Sequence, residues 1–173
     1  PLGKESDFGK VGRVVFVGGG VGLAELVPVI AYAKEQGNEI TTIIGARTKD
    51  LLIMENEIHE LSDRLIIVTD DGSYGRKGVV TDPLKDLLKH EKFNLAYCVG
   101  PDIMMKFVCL LTKEFNLKTL VSLNSHMIDG TGMCGGCRCS VGGETKFTCV
   151  DGPEFDGHKV DWEEFRLRQG RFK

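Results

Sequence analysis

The chain has 173 residues, of which 42% are hydrophobic, with 22 Lys and Arg against 25 Asp and Glu. That is enough apolar material for one core plus an appendage. The net charge of -3, with both signs interspersed, argues against nucleic acid as the main partner. No apolar run is long enough to span a bilayer and no charged-then-apolar leader is seen, so no membrane role is expected. Cys98 and Cys109 sit in apolar surroundings, while Cys134, Cys137, Cys139 and Cys149 cluster as ligands would. This usage fits a reducing cytoplasm better than a secreted disulfide scaffold.

Residues 1–11 read as a linker, and Pro1-Leu2-Gly3 equally suits a tag scar. Arg13–Val17 is a continuous apolar run, as a strand buried on both faces requires. It ends in Gly18, Gly19, Gly20 and Gly22, and a helical pattern of Leu23, Leu26, Val27 and Ile30 follows. Strand, glycine turn and helix together aim backbone N–H groups at a pyrophosphate. The glycines stand one residue short of G-x-G-x-x-G, and a ligand-free turn would use them too. Pro28 predicts a kink or a tight first turn.

Ile40–Gly45 is the second strand, and Arg47 just beyond it is placed to meet a nucleotide or to be a solvated loop charge. Residues 50–61 read as a helix with Leu51, Met54, Ile58 and Leu61 on one face; His59 reads as a surface side chain. Leu65–Thr69 is the third strand. It opens a second glycine-rich loop whose Asp70 and Asp71 stand where doubly wound folds bind ligands, though a polar surface loop would look similar. Thr81-Asp82-Pro83 starts the third helix, with Leu84, Leu87 and Leu88 buried. Leu95–Val99 is the fourth strand, closed by Gly100 and Pro101, where a nicotinamide could approach the backbone. The next helix is expected to bury Met104, Phe107, Val108 and Leu111. Thr119–Leu123 is the fifth strand. Strands and helices in alternation predict an α/β fold, a five-stranded doubly wound parallel sheet in the order 3-2-1-4-5.

The remaining stretch carries the densest chemistry. Asp129-x4-Cys134-x2-Cys137, with Cys149 further on, repeats the x4 and x2 spacings of plant-type two-iron clusters, with a carboxylate in the first position. The intervening glycines let the backbone approach an inorganic cluster and aim N–H groups at sulfur. The expected group is a [2Fe–2S] cluster on Asp129, Cys134, Cys137 and Cys149. Zinc prefers two short Cys pairs and only one is present; a disulfide explains neither spacing nor glycines. Asp129 could also be a plain Asp-Gly turn residue. Cys139 alternates with Cys137 and reads as a buried small side chain, with substitute ligand as the other reading. Trp162, Phe165 and Leu167 are expected to anchor the charged tail.

These blocks resemble the electron-transfer subunit of bacterial dihydroorotate dehydrogenase. They look still more like the small subunit of NADH-dependent ferredoxin:NADP oxidoreductase, also called sulfide dehydrogenase. The matching words are residues 18–22, 45–47, 69–73 with Gly75, Gly78, Thr81 and Asp82, then Gly100-Pro101 and 129–135. The resemblance implies a ferredoxin-reductase-like fold divided into a linker at 1–11, an NAD(P)-binding domain at 12–124 and a cluster segment with tail at 125–173. It implies FAD held mostly by a preceding domain, and nucleotide contacts at Gly20, Gly22, Arg47, Asp71 and Gly100. The cofactors would be NAD(H) or NADP(H), FAD and a [2Fe–2S] cluster. The partner would be a larger catalytic flavin/iron–sulfur subunit, with ferredoxin a further candidate; the compartment would be the cytoplasm. Ala24-Glu25 and Cys139 depart from the family pattern. The competing readings are a zinc-stabilised nucleotide-binding or docking module without electron transfer, and a flavin-free adaptor that senses the nucleotide.

Overall fold

The computed structural model describes residues 3–170, so Pro1, Leu2 and the last three residues of the expected linker and tail lie outside it. Nine strands are described: β1 Arg13–Gly19, β2 Glu39–Ala46, β3 Arg64–Thr69, β4 Arg76–Lys77, β5 Leu95–Val99, β6 Thr119–Ser122, β7 Arg138–Val141, β8 Glu144–Phe147 and β9 Glu154–Asp156. The main sheet runs in the order β4-β3-β2-β1-β5-β6-β9, with β1 to β6 parallel and β9 antiparallel to β6. Its middle five strands are the five expected, in the expected order. The sheet is nonetheless seven-stranded, because two short edge strands extend it. At two and three residues, β4 and β9 are too short to show any periodicity.

Both faces are covered, which is why β1 has no polar alternation. Val14 and Phe16 join Leu23, Leu26 and Ile30 of α1 (Gly22–Glu35) and Ile58 of α2 (Glu55–Leu61). Val15 and Val17 join Leu84 and Leu87 of α3 (Thr81–His90) and Met105 and Val108 of α4 (Asp102–Glu114). Each fully buried side chain of this kind contributes about 1.5–3 kcal/mol. Helix α1 continues through Pro28, which stands exposed in its interior.

Three expectations are corrected. The helix over 50–61 is broken: a 3-10 turn covers Lys49–Leu51, Leu52 is extended, and Met54 takes a left-handed φ of 58° before α2 starts. The break turns Leu52 and Met54 onto the core and Leu51 outward. In α4 the buried face is Met105, Val108, Cys109, Leu111 and Thr112, and Phe107 points outward. That helix is apolar on several sides, so its register depends on packing. Among the tail residues, Trp162 and Phe165 of α6 (Trp162–Gly170) are buried, whereas Leu167 is exposed.

Residues 3–11 lie against the domain as a strap. Phe8 packs edge-on to Tyr32 with ring centroids 5.6 Å apart. Asn38 Oδ1 accepts the N–H groups of Val11 and Gly12 at 2.8 and 2.9 Å, while its Nδ2 donates to Gly9 and Ala33 carbonyls, both at 2.9 Å. After β6 the chain leaves the sheet, forms the cysteine loop and the β7–β8 hairpin, and returns through α5 (Thr148–Asp151) to β9. The hairpin turn is Gly142-Gly143 with φ of 63° and 81°, a two-residue turn that demands positive φ at both positions.

Candidate cofactor sites

A cleft of about 680 Å³ opens at the carboxyl ends of β1, β2, β3 and β5. Gly19 and Gly20 form its floor, Arg47 and Asp70 one side, and Pro101 with Ile103, Met104 and Phe107 of α4 the other. Gly20 has φ 58° and open space where a Cβ would stand, so a ligand can approach its backbone. The N-cap of α1, Val21, makes no side-chain capping bond, and the N–H groups of Leu23 and Ala24 donate to the Gly20 and Val21 carbonyls at 3.3 and 3.1 Å. These features fit a phosphate-bearing nucleotide.

Of the nine expected nucleotide residues, Gly19, Gly20, Arg47, Asp70 and Pro101 line the cleft. Gly18, Gly22 and Gly100 stand behind it and allow close packing. A Cβ on Gly18 would meet Leu23 Cδ2 at 2.6 Å, and one on Gly22 would meet Gly100 Cα at 3.0 Å. Gly100 itself has φ 150° and would clash with the Gly19 carbonyl oxygen at 2.8 Å. Asp71 closes its own loop: Oδ1 accepts the Ser73 N–H at 2.9 Å and hydroxyl at 2.7 Å, and those bonds, the hydroxyl first, hold its carboxyl below the usual range. Sequence reasoning missed Gly78 to Thr81 and the apolar wall of Ile103 and Phe107 as cleft residues. Position after a strand end could have pointed to the former; nothing in the pattern separated Phe107 from a core residue.

The second site is the loop after β6. Asp129 Oδ1 accepts the Thr131 N–H at 2.8 Å and Oδ2 accepts the Cys134 N–H at 2.7 Å. Those N–H groups, Thr131 first, lower the Asp129 carboxyl below its ordinary value. Gly136 N–H donates to Cys134 Sγ at 3.3 Å, and Cys149 N–H to Cys137 Sγ at 3.5 Å. Cys137 Sγ and Cys149 Sγ stand 3.2 Å apart as free thiols, well beyond the ~2.05 Å of a disulfide bond. Cys137 and Cys149 are buried and Cys134 is exposed. Burial, then Cys137, raises the Cys149 thiol. Cys139 is buried on β7, and burial pushes its thiol up to about 11.

Among the described residues, no three His, Cys, Asp or Glu side chains converge on a point fit for one metal ion. Asp129 is tied to the Cys134 backbone N–H, and the Cys137 and Cys149 sulfurs stand 3.2 Å apart. A tetrahedral zinc site needs four donors on one centre, whereas a two-iron cluster spreads them over two. Backbone N–H groups already face two of the sulfurs, as clusters require. The donor set fits an iron–sulfur group.

Comparison with known proteins finds two family matches. Residues 16–110, more than half of the chain, match the oxidoreductase NAD-binding domain. The chain belongs to that family. Residues 124–161 match the iron–sulfur cluster binding domain of dihydroorotate dehydrogenase B. The two matches support a nicotinamide cofactor and an iron–sulfur cluster.

The whole chain is 54% identical to a homologue of the dihydroorotate dehydrogenase B electron-transfer subunit from Thermotoga maritima, covering 61% of that protein. It is 34% identical over 94% of its length to the corresponding subunit of Clostridium perfringens, covering 65% of that relative. The chain thus spans under two thirds of the curated relatives it matches. A solved structure of NADH-dependent reduced ferredoxin-NADP oxidoreductase, studied for flavin-based electron bifurcation, superposes with a TM-score of 0.93 at 53% identity, over all of this chain and 62% of that one. The C-terminal domain of a Pyrococcus furiosus hydrogenase, at 24% identity and TM-score 0.58 over 70% of this chain, shares the fold. No helix among the described residues is long and apolar enough to cross a membrane.

Proposed function

We propose that this chain is the nucleotide-binding and iron–sulfur portion of an electron-transfer subunit in an NAD(P)H-dependent flavoprotein oxidoreductase. In this reading residues 1–11 link to an FAD-binding domain, 12–124 bind NAD(H) or NADP(H), and 125–173 carry the cluster and tail. One observation carries it. β1, β2, β3 and β5 end at the cleft, and the neighbouring β6 runs on into the four-donor loop, so both sites leave the same carboxyl edge of one sheet.

When bound, nicotinamide, flavin and a [2Fe–2S] cluster supply hydride donation, the two-to-one-electron junction and one-electron acceptance. The protein binds and orients. Gly20 and the α1 N-terminus receive the pyrophosphate, and Arg47 adds positive charge beside it. Asp129 with Cys134 would hold one iron and Cys137 with Cys149 the other. Around that loop Met127, Ile128 and Met133 are 47%, 74% and 89% exposed, an apolar surface suited to a larger catalytic flavin/iron–sulfur subunit. Ferredoxin is the alternative occupant. Six free thiols accord with a cytoplasmic setting.

The test is iron and acid-labile sulfide content with an EPR spectrum of the reduced, anaerobically prepared chain. Two irons, two sulfides and a signal on reduction are expected; a colourless zinc protein would overturn the reading. Asp129→Cys and Asp129→Ala should each move the cluster's midpoint potential. An intact cluster at unchanged potential in both removes Asp129 from the ligand set.

A further inference from the structure

Thr148 takes no part in the cleft and is no metal donor, yet its side chain is fully buried at the centre of the second site. Its hydroxyl donates to the Cys137 carbonyl at 3.0 Å, and meets Ser125 Oγ at 2.8 Å and Cys139 Sγ at 3.8 Å. Its backbone N–H donates to the same Cys137 carbonyl at 3.2 Å. A hydroxyl has one proton and two lone pairs. With the proton on the Cys137 carbonyl, the Ser125 O–H and the Cys139 S–H occupy both lone pairs, and the group is saturated.

The partners come from separate stretches. Ser125 lies on the lead-in to the Asp129 loop, Cys137 and Cys139 flank the start of β7, and Thr148 immediately precedes Cys149. Valine would fill the same volume, so burial alone does not call for the hydroxyl. Without it the Ser125 hydroxyl loses a buried partner and the Cys137 carbonyl keeps one bond of two.

We propose that Thr148 is a positioning residue, a buried hydroxyl pin that registers the Cys137 and Cys149 arms against each other and against the Asp129 loop. The proposal rests on the iron–sulfur reading above. The pin explains why Cys137 and Cys149 sulfurs face each other at 3.2 Å although eleven residues separate them in sequence. It also gives Cys139 its place, as a buried hydrogen-bond partner of Thr148.

The experiment compares the full chain with Thr148→Val, Thr148→Ser and Ser125→Ala, each loaded with iron and sulfide. The readouts are the rate of cluster loss to EDTA, the EPR line shape and the midpoint potential. Thr148→Val should lose its cluster about 10-fold faster, as removal of an outer-shell partner does, with altered line shape and potential. Thr148→Ser should restore all three, and Ser125→Ala should shift them less in the same direction. Parental rate, line shape and potential in Thr148→Val would overturn the pin. If Thr148→Val does not fold, Ser125→Ala decides by the same criteria. A parent that takes up no iron or sulfide sinks the cluster reading instead. The pin is then judged on the metal-free chain, by the rate at which diamide joins Cys137 to Cys149 as located by peptide mapping. Slower joining in Thr148→Val, recovered in Thr148→Ser, supports it, and equal rates overturn it.

Discussion

The two halves of this molecule build their sites by opposite means. In the nucleotide half the site follows from regular structure: parallel strands end together, and glycines let β1, α1 and the Gly100 turn come close. Beneath it lies a core on both faces of the sheet. The cluster half has one two-stranded hairpin, and its candidate donors are tied by local hydrogen bonds: Asp129 accepts from the Thr131 and Cys134 N–H groups, Cys134 Sγ from Gly136, and the Cys137 carbonyl from Thr148. A site made by a sheet edge should survive loss of a ligand side chain. A site made by a loop should depend on a few polar bonds.

The most direct way to break that comparison is Cys149→Ala. Cluster iron should fall to background, while nucleotide affinity, measured by calorimetry, stays within about twofold because Cys149 belongs to neither of the two hydrophobic clusters beneath the cleft. Coupled loss of both would show that the halves are not separable. Next in size is Phe16→Ala, which empties a fully buried position against Tyr97, ring centroids 5.6 Å apart. It should cost about 3–5 kcal/mol in denaturant unfolding. A smaller penalty would mean that the neighbouring side chains collapse into the space.

Arg47→Ala should weaken nucleotide binding about 10-fold, or about 1.4 kcal/mol, with iron content unchanged. Parental affinity would return Arg47 to the solvated loop. The smallest effect expected is at Asp71. Its folded pKa is depressed, chiefly by the Ser73 hydroxyl, so the stability it adds is present above the ordinary carboxylate value of about 3.9 and is lost as pH falls through the folded value. Ser73→Ala should move the Asp71 midpoint upward in a carbon-13 NMR titration. An unmoved midpoint would detach the carboxylate from that bond.

What could be read in advance differs between the halves as well. The middle five strands were legible because buried parallel strands read as largely apolar runs, three of them ending at glycine. The edge strands β4 and β9 were not, since a few residues carry no period. The break at Met54 was hidden because Leu51, Met54 and Ile58 satisfy helical spacing whether or not the backbone is continuous. Phe107 was misread as core because α4 offers more apolar side chains than its buried face takes. Cys134, Cys137 and Cys149 stood out as candidate ligands by spacing. Thr148 could not, since a single buried threonine has no pattern of its own.

Composition, strand runs, glycine turns and cysteine spacing by themselves determined an α/β sheet followed by a metal-binding loop, because those signals are local and survive in one dimension. Tertiary structure alone decided which glycines face the cleft and which fill contacts, which face of α4 turns outward, and how Cys137 comes to lie beside Cys149. Those outcomes depend on atoms far apart in the chain competing for the same space and the same hydrogen-bond partners.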